Sequence, residues 1–135
     1  MRRDRRIDAF AVGLVAAVTA VGVLCWPALP ESVAIHWSGG SPDTFVSRPL
    51  ATLGLFGFAV GTIAFVRLAP DSLSNTPGGE NPTVLFLGVV FAWVEAIVLL
   101  WNLGFDFSIE LAVLPVLVLA GLLLAYAAWR SGRLG

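Results

Sequence analysis

The sequence has no lysine and only one cysteine, one histidine and one methionine. A lone cysteine, Cys25, excludes a disulfide framework or a paired-thiol motif within the chain. A lone histidine, His36, leaves a zinc site short of its usual three or four ligands, even with Glu31 and Asp43 nearby. No serine stands in a GxSxG setting. The sequence therefore contains no complete catalytic or metal-binding set, and we expect neither an enzyme nor a cofactor.

Charge is also scarce. Charged residues make up 13% of the 135 residues, hydrophobic residues make up 58%, and the mean hydropathy is +0.89. A formal net charge of −1 gives no footprint for nucleic acid. Four apolar runs of about 20 residues each match the ~30 Å hydrocarbon layer of a bilayer at 1.5 Å per residue. The composition predicts a membrane protein.

We expect an all-α membrane protein with a single four-helix transmembrane domain over residues 1–135. The predicted spans are about 7–26, 49–69, 82–103 and 109–129. The charged start of the first span is also typical of a signal peptide, but no small-x-small pair precedes a cleavage point, so we expect the span to be retained.

The arginines predict the orientation. With four spans, only Arg48 falls on one side, and the positive-inside rule puts both termini in the cytoplasm of a plasma membrane. The polar interval 27–48 then becomes a structured extracellular loop. Arg67, one turn before the end of the second span, is expected to snorkel to the headgroups. The arginines on the cytoplasmic side are Arg2, Arg3, Arg5, Arg6, Arg67, Arg130 and Arg133.

The outer loop contains most of the candidate site residues. We expect His36 to hydrogen-bond within the loop, and Asp43 is the nearby carboxylate. Trp37 is expected to lie on the membrane surface or on the helix tops. The paired glycines, Gly39 and Gly40, predict a tight turn.

Glu95 is the only ionisable residue of the third span. An ionised carboxylate at that depth costs on the order of 2.5 to 3.5 kcal/mol on insertion scales, so it should face the bundle interior, find a partner or be protonated. Gly88, Leu99 and Asn102 share its helical face and predict an inward stripe. Both a proton or cation site and an interhelical hydrogen bond remain open, and Arg48 is the predicted partner.

Two further patterns concern helix packing. Gly54, Gly57 and Gly61 fall on one face of the second span and predict a packing seam, either within one chain or in a homo-oligomer. Pro115, in the first half of the fourth span, predicts an unpaired carbonyl and a kink.

The outer loop resembles the signature of a known family, through residues that run from Leu29 to Arg48. Trp101–Phe105, WNLGF, resembles a later segment of the family that carries this signature. The SdpI-type immunity family carries LP-x-x-V-P-x-H-F/W…G-x-x-D-x-Y/F…K/R in the membrane domain that forms its N-terminal half. The resemblance implies four spans and immunity against a secreted toxic peptide. Ala34 replaces the second proline, and the family's second membrane half has no counterpart here. The matching residues are Leu29, Pro30, Val33, His36, Trp37, Gly40, Asp43, Phe45 and Arg48.

Two functions follow from these observations. In the first, the chain is a non-enzymatic integral membrane protein whose outer loop contacts a peptide, a lipid or a partner protein. In the second, it is a small transport or proton-coupled subunit that uses Glu95 with Asn102. Membrane lipids are expected partners in both.

Overall fold

Four helices, each long and apolar enough to cross a membrane, dominate the part of the chain that the structure describes. The structure is a computed structural model that describes residues 3–70 and 79–134. Residues 71–78, in the predicted loop between the second and third spans, lie outside these ranges. The prediction of four helices long and apolar enough to cross a membrane is confirmed. The helices are α1 (Arg5–Leu24), α2 (Leu55–Leu68, preceded by a π-helical turn at Leu50–Gly54), α3 (Glu80–Asn102) and α4 (Ile109–Leu134).

The prediction of an all-α chain is wrong in the outer loop. After a short 3₁₀ turn at Trp26–Ala28, strands β1 (Ser32–Ser38) and β2 (Ser41–Ser47) pair as a two-stranded antiparallel sheet, which we call the hairpin. Gly39 and Gly40 connect the strands with φ values of 59° and 81°. A two-residue turn of this type needs positive φ at both positions, which glycine adopts without strain.

Helix α3 is the centre of the bundle. It packs against α1, α2, α4 and β1. Gly88, Ala92, Glu95 and Leu99 are buried, as the predicted inward stripe requires. We call the end of the bundle under the hairpin the hairpin side, and the opposite end, where α1 begins, the terminal side.

Helices α1 and α3 cross at very short distance. A Cβ atom added at Gly88 would lie 2.6 Å from Ala11 Cβ and 2.7 Å from Ala11 Cα. Glycine at position 88 is therefore required by the approach of the two backbones, which is how small residues act between membrane helices. Gly22 plays a similar part farther along α1, where an added Cβ would lie 3.0 Å from Thr52 Cγ2.

The predicted glycine seam on the second span is not used within the chain. A Cβ added at Gly57 or Gly61 would meet nothing within 4 Å, and at Gly54 it would meet the side chain of Leu50 at 2.9 Å. The helices cross at Gly88 and Gly22 instead, because those glycines lie on the faces where α1 and α3 meet.

Arg67 was predicted to extend to the headgroups, but it lies within the bundle. Its side chain is only 3% exposed, and its guanidinium donates to Asp8, Glu80 and Asn81 at 2.6–3.3 Å. These partners belong to α1 and α3, so the terminal side is joined by a buried ion cluster. The carboxylates compensate the arginine inside the bundle, which removes the reason for it to reach water.

Helix α4 lies at the edge of the bundle. None of the residues in its most apolar stretch is buried, and its main contact is with α3. Pro115 lies within the continuous helix and has no N–H to give to the preceding turn. Trp93 of α3 donates its indole N–H to the carbonyl of Ala112 at 2.7 Å. The carbonyl that lacks its helical donor because of Pro115 is that of Leu111, and Trp93 donates to the next carbonyl along the same turn.

We expect Gly88→Ala to destabilise the bundle by about 1–3 kcal/mol, because the added methyl group overpacks the α1–α3 crossing. The measurement is reversible unfolding of the purified protein in mixed micelles. Gly57→Ala is the matched control and should be neutral or stabilising by up to about 1 kcal/mol, since alanine favours a helix and meets no neighbour. Equal stability of the two variants would contradict the packing at Gly88.

Candidate functional site

The hairpin is fixed to the bundle first by Asn102 at the end of α3. The side-chain amide of Asn102 accepts from the N–H of Ala34 and donates to its carbonyl, both at 2.9 Å. It also donates to Val98 O at 2.7 Å. The amide therefore satisfies the exposed edge of β1 as a neighbouring strand would. Asn102, predicted to act with Glu95 inside the membrane, is instead engaged with the hairpin.

Arg48 provides the second attachment. Its Nη2 and Nε donate to the carbonyl of Leu29 at 2.6 and 3.1 Å, and Nε also reaches the carbonyl of Pro30 at 3.2 Å. The side chain thereby ties the end of the outer loop to its beginning. The predicted pair of Arg48 with Glu95 is not formed, because the guanidinium finds unpaired backbone carbonyls closer along the chain.

The underside of the hairpin is apolar. Leu29 and Val33 are buried in one cluster with Ala51, Val98 and Leu99 from the second and third helical segments. This contact buries the inner face of the sheet against the helix tops, and the apolar area removed from water stabilises it.

Trp37 lies on the helix tops, which is one of its two predicted positions. Its ring packs edge-to-face on Trp101, with centroids 5.4 Å apart and planes at 70°. Its indole nitrogen is buried and has no hydrogen-bond partner among the described residues. An edge-to-face contact places a positive ring edge on a π face, so the aromatic pair provides favourable electrostatics for this tryptophan.

Two irregularities of the strand pairing turn the polar residues outward. His36 pairs with Thr44, whereas the flanking pairs are Ala34 with Phe45 and Trp37 with Pro42. Ile35 is consequently the extra residue on β1 and Asp43 the extra residue on β2. Bulges of this kind redirect side chains.

Asp43 is the centre of the polar outer face. Its carboxylate is 2.7 Å from His36 Nδ1 and accepts from Ser38 Oγ at 2.8 Å and from Thr44 Oγ1 at 3.0 Å. The hydrogen bond with His36, followed by that with Ser38, lowers the pKa of Asp43 from 3.8 to about 2. The expected hydrogen bond of His36 within the loop is thus present, with Asp43 as its partner.

The ionised carboxylate also assigns the proton on the histidine ring. A carboxylate only accepts hydrogen bonds, so Nδ1 of His36 carries the hydrogen that Asp43 receives. The second ring nitrogen, Nε2, makes no described hydrogen bond, and the side chain of His36 is 67% exposed. The hairpin therefore presents an oriented imidazole to its surroundings.

The remaining loop candidates differ in their exposure. Phe45 is 53% exposed. Gly40, at the turn, lies near the start of α4, since a Cβ added there would be 3.6 Å from Glu110 Oε1. Leu29 is buried and Pro30 is exposed. The loop signature thus divides into residues that anchor the hairpin and residues that it exposes.

Glu95 lies apart from the hairpin. It is completely buried, and the hydroxyl of Thr19 lies 3.0 Å from one carboxyl oxygen and 2.8 Å from the other. The sequence suggested the inward position, but Thr19 was missed because a threonine within an apolar span is common and carries no distinguishing signal.

A metal centre has no support in the described part of the chain. Over residues 3–70 and 79–134, no group of three or more His, Cys, Asp or Glu side chains is placed to hold a metal ion. His36 and Asp43 form a pair without a third ligand.

These features define a multi-pass membrane protein with a hairpin fixed to one end of its helices. In comparisons with known proteins, the model of a family described as a domain of unknown function, DUF1648, matches residues 13–60. The match runs from α1 through the hairpin into α2 and covers less than half of the chain. Neither the curated proteins nor the solved structures gave a match.

Asn102→Leu should loosen the hairpin, because it leaves the N–H and carbonyl of Ala34 without a partner. Each unsatisfied group costs about 1–3 kcal/mol. Hydrogen exchange measured on the Ala34 amide should accelerate, whereas Leu100→Ala, an exposed neighbour, should leave it unchanged. Equal protection of the Ala34 amide from hydrogen exchange in both variants would show that the side chain of Asn102 does not fix β1.

The hydrogen bonds that Asp43 makes with His36, Ser38 and Thr44 should weaken in acid. Because the folded-state pKa is lowered, the carboxylate contributes stability that is present above pH 3.8 and lost as the pH falls towards about 2. An NMR titration of the Asp43 carboxyl carbon should give this low value. In His36→Ala the pKa should rise towards 3.8. A wild-type value near 3.8 would contradict these hydrogen bonds.

Proposed function

We propose that this chain is a non-enzymatic membrane protein whose hairpin binds a peptide or a partner protein at the outer face of the plasma membrane. The observation that carries the proposal is the separation of two sets of residues. Asn102 and Arg48 fix the hairpin to α3 and to the start of the loop, while His36 and Asp43 join its two strands and make no described hydrogen bond to the helices. A rigid element with an exposed, oriented polar face is suited to recognition, because little conformational entropy is lost on binding.

The orientation is part of the proposal. Arginines concentrate on the terminal side, and the positive-inside rule favours both termini in the cytoplasm. The hairpin then faces the exterior, where it meets secreted molecules. Among the described residues, Arg3, Arg5, Arg6, Arg67 and Arg130 lie toward the terminal side and Arg48 lies on the hairpin side.

The resemblance to the SdpI-type family supports a finer proposal. The DUF1648 model covers the hairpin without assigning it a function, and the residues of the loop signature either anchor this element or lie on its exposed surface. We infer that the molecule bound is a secreted peptide against which the chain gives immunity. Phe45 is exposed on the hairpin, so the surface offers an aromatic side chain, of a type enriched at protein interfaces, together with hydrogen-bonding groups.

The transport alternative has less support. It relied on Asn102 as the neighbour of Glu95, and the amide of Asn102 is occupied by Ala34 and Val98. Thr19 is the described hydrogen-bond partner of Glu95. No path of ionisable side chains across the bundle is present in the described part of the chain.

The experiment is a complementation test. A strain in which the gene for this protein is deleted is grown in spent medium from a culture of the parent wild-type strain. We expect deletion to sensitise the cells, and wild-type protein and Glu95→Gln to restore growth. His36→Ala and Asp43→Asn should fail at equal membrane levels, because they remove the oriented imidazole.

Full protection by both hairpin variants would disprove recognition through this face. Unimpaired growth of the deletion strain would disprove the immunity proposal. Loss of protection in Glu95→Gln alone would favour the transport alternative.

A further inference from the structure

Glu95 takes no part in the hairpin or in the ion cluster around Arg67. Both of its carboxyl oxygens are close to the hydroxyl of Thr19, but a hydroxyl has one hydrogen and donates to one oxygen at a time. Within residues 3–70 and 79–134, the ion pairs involve other carboxylates. A negative charge on Glu95 would therefore be uncompensated in a fully buried position.

Apolar layers separate this carboxyl group from both ends of the bundle. Val15, one turn before Thr19 on α1, is buried in a cluster with Ala59 and Ala92. Leu99, one turn after Glu95 on α3, belongs to the apolar cluster beneath the hairpin. Both clusters are apolar, and the buried hydroxyl of Thr52 near Leu99 is already hydrogen-bonded to Trp26 and to the carbonyl of Arg48.

The other ionisable groups of the elements packed on α3 lie toward the ends of the helices. Asp8 and Thr19 are 11 positions apart on α1, which is about 16 Å at the helical rise. None of these groups is hydrogen-bonded to Glu95 among the described contacts. They are Arg5, Arg6, Asp8 and Cys25 on or next to α1, Arg67 on α2, His36 on β1, and Glu110, Tyr126 and Arg130 on α4.

The side of the bundle has a groove next to this carboxyl group's partner, Thr19. Thr19 lines a groove of about 450 Å³ between α1 and the segment that leads into α2, together with apolar residues that include Ala20, Leu53 and Phe56. Ala20 and Leu53 are exposed on the surface that faces lipid. The hydroxyl of Thr19 thus stands between the carboxyl group and the lipid phase.

We propose that Glu95 and Thr19 form a neutral carboxylic acid site that lipid-soluble molecules reach from the lipid phase through this groove. The acid O–H donates to Thr19 Oγ1, and the Thr19 hydroxyl donates to the other carboxyl oxygen. Both distances allow this pair of hydrogen bonds. The site then holds no net charge, which an apolar bundle favours.

The test compares two carbodiimides on the full chain in liposomes. The acid proton passes to one carbodiimide nitrogen and the carboxyl oxygen bonds to the central carbon, which gives an O-acylisourea. The acyl group then migrates from this oxygen to a nitrogen of the same adduct and forms a stable N-acylurea, so that no group is lost. We expect lipophilic dicyclohexylcarbodiimide to modify Glu95, and a charged water-soluble carbodiimide to leave it unmodified, as read by peptide mass spectrometry. Glu95→Gln should carry no adduct on that peptide.

The route is tested by filling the groove. Ala20→Trp, with Leu53→Trp as a second variant should the first not fold, is expected to slow the modification several-fold. Leu117→Trp places the same side chain on an exposed position of α4 and should leave the rate unchanged.

Each opposite result overturns the proposal. No adduct on wild-type Glu95 would mean that the carboxyl group is ionised or closed to the lipid. Equal modification by the water-soluble reagent would place the route in water. An unchanged rate in a folded groove variant would exclude the lateral path.

Discussion

The close contact of α1 with α3 is the constraint on which the rest of the structure depends. At Gly88 the backbone of α3 meets Ala11 without a side chain between them. This distance brings Thr19 within hydrogen-bonding reach of Glu95 and lets Gly22 pack beside Leu99. Membrane helices gain little from excluding lipid, so such van der Waals contact and interhelical hydrogen bonding hold them together. The crossing therefore sets both the packing and the position of the buried acid.

The hairpin depends on a different physical requirement, the pairing of its backbone polar groups. A short sheet at the membrane surface has strand edges whose backbone groups need partners. The side chain of Asn102 completes the edge of β1 at Ala34, and Arg48 binds carbonyls at the start of the loop. These polar contacts use residues of the bundle and of the loop's own end. The described hydrogen bonds of the outward face around Asp43 are consequently all within the hairpin.

Much of the fold follows from the sequence because hydropathy reports directly on membrane spans. The inward position of Glu95 follows from helical periodicity, and the bond between His36 and Asp43 from their proximity in one loop. The hairpin was missed because the paired glycines gave a turn without revealing that the seven residues on each side would pair. The partners of Arg48 and Arg67 were missed because long side chains choose among distant groups that only the tertiary arrangement brings near.

The peripheral place of α4 has a consequence for how sequence change is tolerated. Its most apolar stretch contains no buried residue, so exchanging one lipid-facing apolar side chain for another disturbs no packed core. The hydrogen bond from Trp93 to Ala112 fixes the helix at one level. The first three helices and the hairpin thus form the part in which single changes are costly, and they contain the segment that the family model matches. In α4, exchanges between lipid-facing apolar side chains should therefore cost little stability, provided that Ala112 keeps its donor, Trp93.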